Sequence, residues 1–117
     1  MEREKSIGIF FYRTGAGREP VREFLQSFSD EEKKIIGRDL TVVQWRWPLG
    51  PPLVKNLGHS IFEVRVTLAN RIARILFSQI EDRLVLLHGF VKKTQKTDKR
   101  DIETAIKRLK EILNENE

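Results

Sequence analysis

The chain contains no cysteine, only two histidines (His59 and His88), one tyrosine and one methionine. Lacking cysteine, it has no disulfide scaffold, no thiol nucleophile and no Cys-based zinc site, and it fits a reducing cytoplasm. Two histidines are too few for a His-rich metal site, so neither a metal nor another cofactor is expected. No apolar run approaches the roughly 18–20 residues that a bilayer crossing needs. Met1-Glu2-Arg3-Glu4-Lys5 leads into a short strand-like run with no signal-peptide core, so the expectation is an unexported chain that engages no membrane. Gly15-Ala16-Gly17 is too short for a phosphate-binding loop and lacks the Lys-Ser/Thr that completes one. No Ser-His-Asp order, paired-carboxylate pattern or metal-ligand spacing stands out.

What remains is a basic, globular sequence. At 117 residues the expectation is one domain spanning 1–117. That length buries a modest core without help from metals or disulfides. A hydrophobic share of 39%, with two Trp, one Tyr and seven Phe, argues against a disordered tail. Net charge is +5 and the isoelectric point is near 9.7. Polyanions are then natural partners, because each Lys or Arg that neutralises a phosphate releases condensed counterions. Many basic proteins bind nothing acidic, so the distribution of charge matters more than its sum. Residues 92–110 hold Lys92, Lys93, Lys96, Lys99, Arg100, Lys107, Arg108 and Lys110 against Asp98, Asp101 and Glu103.

Residues 6–12 are apolar and β-prone and read as a first strand, broken by Thr14-Gly15-Ala16-Gly17. Pro20 suits the first position of a helix, and Val21, Phe24, Leu25 and Phe28 recur at helical spacing. Ser29 with Glu32 forms a capping box opening a second helix that carries Ile35, Ile36, Leu40 and Val43. Pro48, Gly50, Pro51 and Pro52 end this α-hairpin in an extended loop. Three strand-like runs follow at 61–67, 71–79 and 83–91, joined by turns short enough to make an antiparallel meander. Thr97 or Asp98 caps a last helix with Ile102, Ala105, Ile106, Leu109, Ile112 and Leu113 as its apolar stripe. The fold class is therefore α+β, in the order β-α-α-β-β-β-α, with an N-terminal strand and α-hairpin packed on a small antiparallel sheet.

Strand periodicity sorts the charged groups. In the 61–67 run Phe62, Val64 and Val66 share one face, leaving Glu63, Arg65 and Thr67 on the other, which is read as exposed. Arg74, between Ala73 and Ile75, is an uncommon place for a charge; it pairs with a cross-strand partner such as Glu63, lies on a solvated sheet face, or aims its planar fork at a phosphate. His88, Phe90 and Lys92 share a face at the end of the last run. An imidazole exchanges protons near neutral pH, an aromatic ring stacks a base, and an ammonium holds a phosphate. Singly, each has a structural explanation as core or surface residue; together, beside Lys93, they suit RNA strand scission by 2′-hydroxyl attack. Lys55 follows the Pro-rich loop and is either a solvated surface lysine or part of this set. Trp45 and Trp47 read as core or partner-interface residues.

The run Leu86-Leu87-His88-Gly89-Phe90-Val91-Lys92-Lys93-Thr94-Gln95-Lys96-Thr97 resembles the phage-derived HigB-like branch of the RelE/ParE toxin superfamily. Supporting segments precede it in order: Pro52 to Gly58, Ile61 to Val66 and Arg71 to Phe77, with Asp98 to Ala105 following. The resemblance implies a RelE-like fold and a metal-independent endoribonuclease that cleaves mRNA, commonly on the ribosome. It also implies a cognate antitoxin that often carries a helix-turn-helix domain. On this reading Arg74 holds the scissile phosphate, Arg65 and Lys55 are further catalytic basic positions, and His88 closes the catalytic set. Lys92, Lys93, Lys96 and Phe90 bind RNA. The superfamily also has members that act on DNA gyrase, so the other readings are a non-cleaving module, inert or regulatory, and a structural RNA-binding protein. The chain departs from the pattern in having no tyrosine near its C-terminus, Phe at 77 where Tyr is frequent, and Asp98 where Pro often opens the last helix. The proton acceptor is then left between His88 and a lysine of lowered pKa.

Overall fold

A computed structural model describes residues 6–92 and 96–115. Eight elements follow one another: β1 (Gly8–Phe11), α1 (Pro20–Gln26), α2 (Asp30–Arg46), β2 (Val54–Gly58), β3 (Ile61–Thr67), β4 (Ile72–Ile80), β5 (Arg83–Lys92) and α3 (Lys99–Glu115). The strands form one sheet in the order β1-β5-β4-β3-β2. The α+β class holds, with two corrections to the expected order. Residues 54–58 form an additional edge strand, antiparallel to β3. The sheet is mixed, because β1 lies parallel to β5. A parallel neighbour needs a long crossover, and the hairpin with the following meander supplies it.

Local chemistry explains the hairpin. Pro20 opens α1, where its missing N–H costs nothing. At α2 the Ser29 hydroxyl accepts from the Glu32 N–H at 3.2 Å, and the Glu32 carboxylate accepts from the Ser29 N–H at 3.2 Å. Trp47 ends α2 and is buried, its ring edge-on to Phe62 and Phe77, with Nε1 donating to Gln79 at 2.9 Å. Trp45, two residues earlier, is half exposed.

Both sheet faces are covered. The hairpin packs on Val54, Val64, Val66, Ala73, Ile75, Phe77, Leu84 and Leu86. The opposite face, expected to be open to solvent, carries α3: Ala105 and Leu109 lie against Tyr12, Ile61, Leu76, Val85 and Leu87. Among the described residues no helix is long and apolar enough to cross a membrane.

One irregularity sets which way the end of β5 points. The β4–β5 register runs Phe77 to Leu86 and then Leu76 to His88, so Leu87 is an extra residue. Such a bulge reverses the alternation beyond it. Leu87 packs toward α3, and after it His88, Phe90 and Lys92 face α3 as well, while Gly89 turns to the hairpin. A Cβ on Gly89 would stand 2.4 Å from the Phe24 ring, which is itself held edge-on to Phe28 at 5.0 Å. Gly89→Ala is expected to destabilise the fold by about 1–3 kcal/mol through overpacking, read by urea denaturation; an unchanged midpoint would refute this packing.

The far end of α3 is tied down by Tyr12, whose hydroxyl donates to the Glu111 carboxylate, and by Arg108, which donates to the Leu87 carbonyl at 2.7 Å. The hydrogen bond to Glu111, then burial, then the Glu111 charge hold the phenol above its ordinary value of 10.0. A folded-state value above the unfolded one stabilises fully below about pH 10 and is lost as pH rises through the folded value. Tyr12 is the one tyrosine, so an absorbance titration reads it alone. The midpoint is expected above 10.0 and should return toward it in Glu111→Ala.

Candidate functional site

Cross-strand pairing assembles the basic residues into rows. Lys55 pairs with Glu63, Glu63 with Leu76, and Leu76 with His88, so one row crosses β2, β3, β4 and β5. The next row is Arg65, Arg74 and Phe90; the one beyond pairs Ile72 with Lys92. Directly paired residues project from the same face, with Cβ atoms about 4.5–5.5 Å apart. Lys55, Arg65, Arg74, His88, Phe90 and Lys92 therefore share the α3 face, near the end of the sheet where α3 begins. The alternation read from the sequence put Arg65 with Glu63 and allowed Glu63 as a partner of Arg74; the register adds the direct pairing of Arg65 with Arg74, and the bulge at Leu87 brings the His88 set to them.

Burial divides the group. Lys55 is exposed on the edge strand, Arg65 is partly buried, and Arg74 and Glu63 have no exposed surface. Arg65 Nε lies 2.5 Å from Glu63 Oε1, and Arg74 NH1 lies 3.8 Å from Glu63 Oε2. Thr97, just before α3, donates its hydroxyl to Glu63 Oε2 and accepts from Arg74 NH1 at 3.2 Å. Burial pushes the Arg74 guanidinium below its ordinary value, the Glu63 charge opposes this, and neighbouring Arg65 adds to it. In this conformation Arg74 is enclosed, holding Glu63 and Thr97, with no surface open to a phosphate.

Around this buried knot lies a more open rim. His88 Nε2 is 2.7 Å from Asp101 Oδ1, with both side chains about one-fifth exposed, at 20% and 21%. The imidazole stacks on Phe90, with centroids 5.4 Å apart and planes at 26°. Lys92 Nζ lies 3.1 Å from Asp98 Oδ2, and that hydrogen bond, ahead of the plain charge attraction, holds the Asp98 carboxyl below its ordinary value. Lys96 is exposed and, with Lys92, Thr97, Asp98 and Lys99, lines a shallow concavity of about 320 Å³. Lys93 lies outside the described residues.

Four residues of this arrangement were not among the expected site residues: Glu63, Thr97, Asp98 and Asp101. Glu63 was named from the sequence only as a cross-strand partner for Arg74, a pairing that the structure shows at 3.8 Å. Asp98 takes the helix N-cap position, its carbonyl accepting from the N–H groups of Asp101 and Ile102 at 3.1 and 3.2 Å. Asp101 falls in the first turn, where the helix dipole favours an acid. The hydroxyl of Thr97 is spent on the sheet instead.

Chemically the face offers an imidazole oriented by a carboxylate, a stacking ring and several cations, which suits proton transfer beside a phosphodiester. Among the described residues no group of three or more His, Asp or Glu is placed to hold a metal ion. A second concavity, about 290 Å³ between β1 and the hairpin, is lined by Phe11, Leu25, Ile36 and Leu40 and has no carboxylate or imidazole.

A buried carboxylate facing two guanidinium groups is costly to strip of its partners or to remove alone. Glu63→Ala should cost about 3–5 kcal/mol, because it leaves Arg74 buried beside a void. The double replacement Glu63→Leu with Arg74→Met should recover most of that loss. Chemical denaturation of the three proteins checks this; a double variant no more stable than Glu63→Ala would refute it.

No curated protein matches the sequence. The family model of the phage-derived Gp49-like proteins (DUF891) matches residues 23–110, which include α2 through most of α3 and every residue of the rows described above. The chain belongs to the Gp49-like family of phage-derived proteins.

Proposed function

We propose that the protein is the toxin of a toxin–antitoxin pair and cleaves mRNA on the ribosome without a metal ion. The observation that carries this reading is the convergence of Lys55, Arg65, Arg74, His88, Phe90 and Lys92 on one sheet face. Membership of a phage-derived family and the resemblance to HigB-like toxins support it. The setting is cytoplasmic, the fold RelE-like, and a helix-turn-helix antitoxin is the partner that keeps the toxin inactive.

Each side chain has a role in one balanced step. His88 takes the proton from a ribose 2′-hydroxyl, the O2′–P bond forms and the P–O5′ bond breaks. The products are a 2′,3′-cyclic phosphate and a 5′-hydroxyl, the leaving oxygen taking a proton from the imidazolium or water. Arg65 and Lys55 offset the charge that builds on the phosphoryl oxygens, and Arg74 supports them from beneath or, with Thr97 displaced, directly. Phe90 stacks a base, while Lys92, Lys93 and Lys96 hold flanking phosphates.

A second reading has its own observation. Arg65, Arg74, His88 and Lys92 each already face a carboxylate, as in a site that has turned inward. Under it the chain is a non-cleaving module that binds a protein such as DNA gyrase or regulates by binding RNA.

Incubation with programmed ribosomes, followed by mapping of the RNA ends, separates the two. The expected result is message cut to 2′,3′-cyclic phosphate ends. His88→Ala should slow cutting by at least about 100-fold while the protein stays folded. Message left intact, free or ribosome-bound, would overturn the cleavage reading.

A further inference from the structure

The resemblance left the proton acceptor open, and the geometry bears on it through a residue to which the resemblance gives no role. His88 ends the four-strand row, and its Nε2 meets Asp101 Oδ1 at 2.7 Å. Nδ1 makes no hydrogen bond to any described residue. A carboxylate accepts but does not donate, so the neutral imidazole beside it carries its proton on Nε2 and keeps a lone pair on Nδ1. Three constraints hold the ring in that state. Phe90 stacks against one of its faces at 5.4 Å. Both partners are about four-fifths buried, which strengthens the hydrogen bond relative to one in water. Asp101 is itself fixed by its place in the first turn of α3, where its N–H bonds the Asp98 carbonyl.

We infer that Asp101 is a positioning residue that fixes His88 in the Nε2–H tautomer and so makes Nδ1 the atom that receives the 2′-hydroxyl proton. The inference rests on the cleavage reading above, and it adds the residue and the nitrogen that reading lacks. Asp101 does not touch RNA in this role. Its loss therefore lowers the rate of the bound complex and leaves substrate binding alone.

Two measurements on the full chain test it. The first is a long-range proton–nitrogen correlation spectrum of labelled protein above neutral pH. There are only two imidazoles, and His59, exposed in the β2–β3 turn, serves as the internal reference. Wild-type His88 is expected in the Nε2–H form; Asp101→Ala should give a mixture, and Asp101→Asn, which keeps one acceptor oxygen, an intermediate pattern. The second is cleavage kinetics: Asp101→Ala should lower kcat by about 10- to 100-fold with KM within about 2-fold, and Asp101→Asn should recover part of the loss. Wild-type kcat and an unmoved tautomer in a folded Asp101→Ala protein would overturn the inference while the cleavage reading stood. A wild-type protein that cuts no RNA would overturn both.

Discussion

The seating of α3 on the sheet depends on one carboxylate that has no exposed surface. Glu63 projects from β3 beneath the chain leading into α3, and it meets Arg65, Arg74 and the Thr97 hydroxyl. A lone buried carboxylate is ruinous, and a buried ion pair is at best a modest source of stability. What such a knot does provide is registry: its members satisfy one another only when Thr97 stands over Glu63. Further along α3, Asp101, Arg108 and Glu111 each find a partner on the sheet side. Apolar burial at Ala105 and Leu109 presses the helix onto the sheet, and these polar contacts choose where along the sheet it rests.

The two faces of the sheet consequently do different work. The hairpin face is a close-packed apolar layer in which Trp47, Phe62 and Phe77 interlock edge-on and stacked. The α3 face is apolar only toward its Tyr12 and Leu109 end; toward Thr97 it becomes ionic. That gradient gives the fold a rigid back on which titratable groups are held in fixed relation.

Much of this was legible in the sequence, and the failures have physical causes. Period-two alternation put Glu63 and Arg65 on one face of β3 and offered Glu63 as a partner for Arg74, and the Ser29–Glu32 pair announced the start of α2. The stripe of α3 says that a helix will bury one side, but not which sheet face receives it; hence Arg65, read as standing on an exposed face, proves partly buried, and Glu63 beside it fully enclosed. β2 has only Val54 and Leu57 as apolar markers and follows a Pro-rich lead, so edge pairing with β3, not its own pattern, makes it a strand. The parallel contact of β1 with β5 joins residues more than seventy positions apart, beyond any local signal. At the site, His88, Phe90 and Lys92 were rightly grouped, whereas Asp101 is found only by knowing how α3 docks.

The extra residue at Leu87 has a broader meaning. In a regular β5, Leu86 and His88 would share a face, and the imidazole would be driven among the apolar side chains of the hairpin layer. The bulge works as a phase switch: upstream of it the strand is addressed to the core, downstream to the charged rim. A strand that kept Leu87 but paired without the bulge would retain every functional side chain and still send His88, Phe90 and Lys92 to the wrong side of the sheet. What the strand encodes at its end is therefore carried as much by counting as by residue identity.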